Sequence, residues 1–290
     1  MIWTYITNGL SIGMVYALVA VGYSMVFGIL RLINFSHGSV YAFGAQITLV
    51  YIGMRFGVWW ALFFSLLSTG VLAVLIDKVT LAPLRKKKAI PIASLIATIG
   101  VFYIVQNLLI IFLGSERRQF PSFYSIDINL GNFPMTSTQV VLFCVALLLL
   151  LILTLIVNKT KIGLAMRAVQ QSPETAAING INVNKVITFT FLLGGISAAI
   201  ASSLIGGYYQ LVYPTMGSTM GMKAFSAAVL GGIGMLHGAV VGGLVIGVIE
   251  SIAVGYLGGT YRDAFAFVIL IIILLIKPSG IFGKKTISKV

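Results

Sequence analysis

Apolar residues in this chain continue for long stretches without the polar interruptions that mark the face of a surface helix. The runs Gly9–Leu30, Val58–Ile76, Ala89–Leu113, Val140–Val157, Val186–Gly206 and Ala264–Ile276 contain no charged residue. Several exceed the roughly 18 residues that cross hydrocarbon. None carries the polar stripe that a helix of a soluble protein turns to water. The pattern predicts an all-α, polytopic membrane helix bundle, organised as a single transmembrane domain over residues 1–290.

One region does not fit simple crossings. The apolar core Ala224–Gly258 would span roughly 52 Å as continuous helix at 1.5 Å per residue, which is short for two full crossings of a core about 30 Å thick. It is expected to be a broken or re-entrant glycine-rich region, with irregular backbone shielded inside the bundle. Gly231, Gly232 and Gly234 supply the break. Gly238, Gly242, Gly243 and Gly247 follow at spacings that let helices approach closely. These glycines pack helices, and in a transporter broken helices also line the path.

Between two of the apolar runs lies a polar island, residues 159–185. Within it Ser172, Pro173, Glu174, Thr175, Ala176, Ala177, Ile178, Asn179 and Gly180 read as a short helix with both ends marked. Ser172 is a good N-cap and Pro173 suits the first helical position, where no N–H is needed. Glu174 favours the positive end of the helix dipole, and Gly180 can close the helix in the left-handed conformation. Two turns are marginal alone in water, so the helix should be held by packing. It reads as a docking element.

The net charge of +13 fits a membrane topology better than a nucleic-acid partner. Of the 19 Lys and Arg, most fall in Lys78–Lys88, in Lys159–Lys185 and in the tail from Lys277. Alternate flanking segments are nearly neutral, with Glu116, Arg117, Arg118 and Asp127 cancelling. By the positive-inside rule the three basic segments and the C-terminus are cytoplasmic. No aromatic-interleaved basic patch is present for nucleic acid. No Lys or Arg precedes the first run, so a cleavable signal is not expected, and Arg31 after it fits an uncleaved first span.

Few residues carry chemistry. Cys144 is read as a buried small hydrophobe, with no disulfide framework or thiol metal site. His37 and His237 lack carboxylate or thiol company, so no metal site is expected. The shared His-Gly-x-Val at 37–40 and 237–240 could be a remnant of an internal repeat, or coincidence. Asp77 and Asp263 adjoin Lys78 and Arg262, where local charge compensation is expected. Glu250, with apolar sequence on both sides, is either a functional carboxylate at depth or a helix-end residue reached by water. A secondary transporter would need paired intramembrane charges for ion coupling, and by sequence only Glu250 qualifies. No phosphate-binding Gly-x-x-x-x-Gly-Lys-Ser/Thr loop occurs, so no cofactor is expected on this chain.

Several stretches resemble a known family. Glu174, Ala176 and Gly180 follow the cytoplasmic signature loop of ABC-importer permeases, with Thr175 in place of its first alanine and without its later Leu-Pro. Tyr16–Tyr23 with Asn34–Gly38, Gly163–Ala168, Val229–Gly234 with Gly238–Gly243, and Lys277–Gly283 are similar to LivH-type permeases of branched-chain amino-acid ABC importers. The resemblance covers nearly the whole chain in order. It implies about eight spans in a bacterial or archaeal plasma (inner) membrane, and a homologous LivM-type permease as partner. It also implies two cytoplasmic ATPases that bind the ATP and Mg, and an extracytoplasmic substrate-binding protein. On this resemblance Gly163, Arg167, Ser172, Pro173, Glu174, Ala176, Ala177 and Gly180 form the ATPase-docking loop. Asn34, Ser36, His37, Gly231, Gly232, Gly234 and Glu250 are candidates for the translocation path. Urea and short-chain amide importers use near relatives, so that substrate class is the alternative, followed by an ion-coupled secondary transporter.

Overall fold

The computed structural model describes residues 2–122, 135–277 and 279–283; Asp127 and the terminal basic residues Lys284, Lys285 and Lys289 lie outside them. The order of elements is α1 (Ile2–Leu30), α2 (Ser36–Gly53), α3 (Val58–Ile76), a π-helical turn (Asp77–Leu81), α4 (Ala82–Lys86) and α5 (Pro91–Leu113). Then come β1 (Arg118–Gln119), α6 (Ser137–Lys159), α7 (Lys161–Gln171), α8 (Pro173–Ile178) and α9 (Val183–Tyr209). The chain continues through β2 (Leu211–Val212), α10 (Met216–Gly231), α11 (Leu236–Leu257), a 3₁₀ turn (Gly259–Tyr261) and α12 (Arg262–Ile276). β1 and β2 form an antiparallel ribbon, with Arg118 opposite Val212. Among the described residues six helices are long and apolar enough to cross a membrane: α1, α3 with its continuation to Lys86, α5, α6, α9 and α11.

The apolar runs divide by where their side chains point. α1 is the axis of the bundle, buried almost throughout from Gly9 to Ile29, whereas α5 and α6 turn most of their apolar surface outward. Leu147, Leu148, Leu151 and Leu155 are exposed on α6, as befits helices whose solvent is hydrocarbon. Cys144 shares that exposure. This corrects its expected burial: an apolar run does not reveal whether a given position faces protein or lipid.

Glycines set how closely the central helices approach. A Cβ on Gly9 would stand 2.5 Å from Val248 Cα, and one on Gly13 would stand 2.9 Å from the Gly243 carbonyl. Gly243 and Gly247 in turn lie on the backbone of α1, while Gly238 and Gly242 lie on that of α10. The α10 helix ends at Gly231 and α11 starts at Leu236, with Gly232 and Gly234 at φ +104 and +91, values that favour glycine. The break is closed by the C-terminal segment, whose Ile281 and Phe282 amides donate to the carbonyls of Leu230 and Gly231.

The bundle contains an inverted repeat: α1–α2–α3 correspond to α9–α10–α11. Arg31 (φ 51) after α1 matches Gln210 (φ 52) after α9, and Arg55 (φ 65) before α3 matches Gly234 (φ 91) before α11. The separation in sequence is the same in both pairs. It is also the separation of Gly38 and Gly217, whose backbones meet where α2 crosses α10. The first helices of the two halves run antiparallel, since Asn8 accepts a hydrogen bond from Tyr208 at 2.9 Å while Gly22 lies beside Ser197. Inverted repeats are common in transporter folds. The partner of Gly38 is thus Gly217 and not Gly238, so the matched histidine tetrads are coincidence.

Candidate functional site

A cavity of about 370 Å³ opens beside the N-terminal half of α10, at the end of the bundle that carries the β1–β2 ribbon. Its wall includes Tyr16 of α1, Tyr41 of α2, Tyr209 of α9, Met216, Met220 and Lys223 of α10, and Arg262 and Asp263 of α12. Arg117 and Tyr213 border it from the connecting segments.

Glu250 sits at the centre of the charge network behind this wall. It accepts from Tyr16 Oη at 2.9 Å, from Lys223 Nζ at 3.0 Å and from Arg262 Nε at 2.6 Å. Lys223 also pairs with Asp263 at 2.7 Å. Two cations face two carboxylates, so the buried charge is compensated, which is the condition under which charge persists inside an apolar bundle. Lys223 and Arg262 also stand over the rings of Tyr16 and Tyr209, at 5.6 and 5.3 Å from the centroids.

Glu250 is therefore no isolated carboxylate. Lys223, 4% exposed, is an intramembrane partner that the pattern of the sequence conceals at the edge of an apolar run. The two aspartates are also re-paired. Asp77 binds Arg85 at 2.7 Å rather than Lys78, and Asp263 binds Lys223 while its neighbour Arg262 turns to Glu250. A helix projects consecutive side chains in different directions, so adjacency in sequence does not pair them.

The remaining path candidates lie elsewhere. Asn34 forms a local turn just before α2: its Oδ1 accepts from the Ser36 amide at 3.2 Å and from Ser36 Oγ at 2.5 Å. His37 is buried between α1 and α9, edge-on to Tyr23 at 4.8 Å, and its Nε2 has no partner among the described residues. Gly231, Gly232 and Gly234 form the break at the far end of α10. The structure does not bring Asn34, Ser36, His37 or these glycines to the cavity beside Glu250.

The polar island forms a compact helical loop. Thr160 Oγ1 accepts from the Gly163 amide at 3.1 Å, starting α7 with Gly163 packed on the last carbonyls of α6. Arg167 donates to the Val157 carbonyl, fastening α7 to α6. Ser172 Oγ accepts from the Thr175 amide at 3.2 Å and caps α8, with Pro173 at its first position. Gly180 follows with φ +81. Ala176 is buried against the chain's own core, whereas Glu174 and Ala177 are exposed and Ile178 is 86% exposed. Ile178 and Leu164, which is 61% exposed, are the large apolar side chains that the loop leaves exposed. Ile178 is left uncovered by the described residues of the chain.

No three His, Cys, Asp or Glu side chains gather among the described residues to hold a metal ion.

Comparison with known proteins adds an independent line. Residues 5–274 match the model of the branched-chain amino acid transport system permease component family. The chain is 37% identical to the high-affinity branched-chain amino acid transport system permease protein LivH of Salmonella typhimurium, over 98% of this chain and 96% of the relative. The identity to LivH of Escherichia coli K12 is the same over the same shares. It is 35% identical to BraD of Pseudomonas aeruginosa, a permease protein of the same kind of system, over 98% of this chain and 97% of that protein.

Proposed function

The chain belongs to the branched-chain amino acid transport system permease family, and on that premise we propose that it forms the membrane path of an ATP-driven importer for leucine, isoleucine and valine. The observation that carries this reading is the identity to LivH and BraD permeases over nearly the full length. The geometry supports it. A bundle of apolar helices with an inverted repeat holds a cavity of mixed apolar and charged lining at one end, and a capped helix with an exposed isoleucine hangs at the loop between α7 and α9.

In this reading α8 docks into a cytoplasmic ATPase. Ile178 and Leu164 supply the apolar contact and Glu174 a charge at its edge. Arg167, Gly163 and the Ser172 cap make the loop stiff enough to transmit a push. The basic residues around it support a cytoplasmic position by the positive-inside rule, with the C-terminus on the same side. The chain itself holds no nucleotide; two ATPases bind ATP and Mg. A LivM-type permease completes the path, and an extracytoplasmic binding protein delivers solute to the end where the cavity opens. The network of Lys223, Glu250, Arg262 and Asp263 argues against ion coupling, because Glu250, its buried carboxylate, is already paired with both Lys223 and Arg262.

Uptake measured in a strain deleted for this gene and complemented with the wild type tests the proposal. Leucine uptake is lost on deletion and restored on complementation. Intact leucine uptake with loss of urea uptake would overturn the substrate assignment.

A further inference from the structure

We infer that the cavity between α10 and α12 is the chain's own binding site for the amino-acid solute, taking its ammonium on Asp263 and its carboxylate on Arg117 and the Tyr41 hydroxyl. This rests on the importer reading and adds the site to it.

Three observations carry the inference. First, the cavity of about 370 Å³ lies within the range of small-molecule sites, roughly 300–1,000 Å³. Second, opposite charges remain available at its wall after internal pairing. Glu250 is fully engaged, but the Asp263 side chain, which meets Lys223 through Oδ1, is 55% exposed. Arg117 rests over the Tyr213 ring at 5.4 Å and has no carboxylate partner among the described residues. Third, Tyr41 reaches the cavity from α2 with its side chain fully buried, and its Oη has no hydrogen-bond partner among the described residues. A buried phenol without a partner costs stability. A phenol that donates to a solute carboxylate explains why that cost is carried here.

The apolar side chain of the solute then lies against Met216 and Met220, which are flexible enough to accept leucine, isoleucine or valine. A zwitterion suits such a wall. Its carboxylate meets Arg117, which has no carboxylate partner among the described residues, and its ammonium meets the exposed side of Asp263 beside Lys223, whereas a simple cation would leave Arg117 unanswered.

The test uses the assembled importer in proteoliposomes and a diazirine analogue of leucine, with adducts mapped by peptide mass spectrometry. ATP-dependent leucine uptake is measured in the same preparation, so that the two readings fail separately. Label is expected on the segments holding Met216, Met220 and Tyr41, competed by leucine but not by 4-methylpentanoate, which lacks the ammonium. Asp263→Asn is expected to lower this labelling about tenfold, as for loss of a charge-assisted contact.

Tyr41→Phe separates binding from structure. It removes only the orphan hydroxyl, so labelling falls while the thermal midpoint is unchanged or higher. Labelling elsewhere, or unaffected by Asp263→Asn and Tyr41→Phe, with leucine uptake intact, would overturn the site and leave the importer reading standing. Absence of leucine uptake by the wild-type assembly would overturn the importer reading, and the site with it.

Discussion

Replacing Glu250 by glutamine removes the buried charge at the centre of the network with Lys223 and Arg262. Glu250 and Lys223 side chains are 1% and 5% exposed and 3.0 Å apart. At an effective dielectric of about 20, one such contact carries about 5 kcal/mol of attraction, most of it offset by desolvation. Breaking a buried pair by removing one partner costs about 3–5 kcal/mol, because the remaining charge is stranded. Here Asp263 still neutralises Lys223 and Arg262 is 30% exposed, so the lower end, about 3 kcal/mol, is expected. At about 2–4 °C per kcal/mol for a chain of roughly this size, the midpoint falls by roughly 6–12 °C. The assay is thermal unfolding of the detergent-purified protein, followed by loss of monodisperse material. The double change Glu250→Gln with Lys223→Met should recover much of the loss, since no buried charge then stands alone and Asp263 is half exposed to water. A midpoint within 2 °C of wild type for Glu250→Gln would refute the reasoning, as would a double variant less stable than the sum of the two singles.

Other outcomes follow from particular contacts. Ile178→Asp should leave the thermal midpoint unchanged, because the side chain is 86% exposed, yet reduce co-purification of the ATPases; equal ATPase recovery would remove α8 from the docking surface. Gly232→Leu should lower the yield of folded protein, since φ is +104 and the new Cβ would stand 2.8 Å from the Gly283 nitrogen. Gly100→Leu on the outward face of α5, with nothing within 4 Å, should be tolerated. Equal yields for these two variants would show that the α10–α11 break is not tightly packed.

Much of this arrangement is legible in the amino-acid sequence. The α8 helix announces itself through Ser172, Pro173 and Gly180 because capping is local: the residues that satisfy a helix end lie within a few positions of it. The break at Gly231–Gly234 was legible for the same reason, as positive φ selects glycine. The site was not. Lys223 and Glu250 are brought together by the packing of α10 on α11, and nothing local in Met222-Lys223-Ala224 signals a carboxylate on another helix. Asp263 adjoins Arg262, and that proximity suggested a pair the helix geometry forbids. The repeat was also hidden, because it is conserved in backbone conformation at Arg31, Gln210, Arg55 and Gly234 rather than in residue type. Ala176 looked like docking surface, whereas it is the packed side of α8 and Ile178 is the face turned out.

The central claim, that this chain is the membrane path of an ATP-driven importer of branched-chain amino acids, is tested most directly by reconstitution. The chain, its permease partner and the ATPases are placed in liposomes containing ATP and Mg, and leucine-loaded binding protein is added outside. Labelled leucine should accumulate inside, and accumulation should stop when ATP is replaced by a non-hydrolysable analogue. Accumulation that follows an imposed proton or sodium gradient without ATP, or none from a fully assembled complex, would contradict the account.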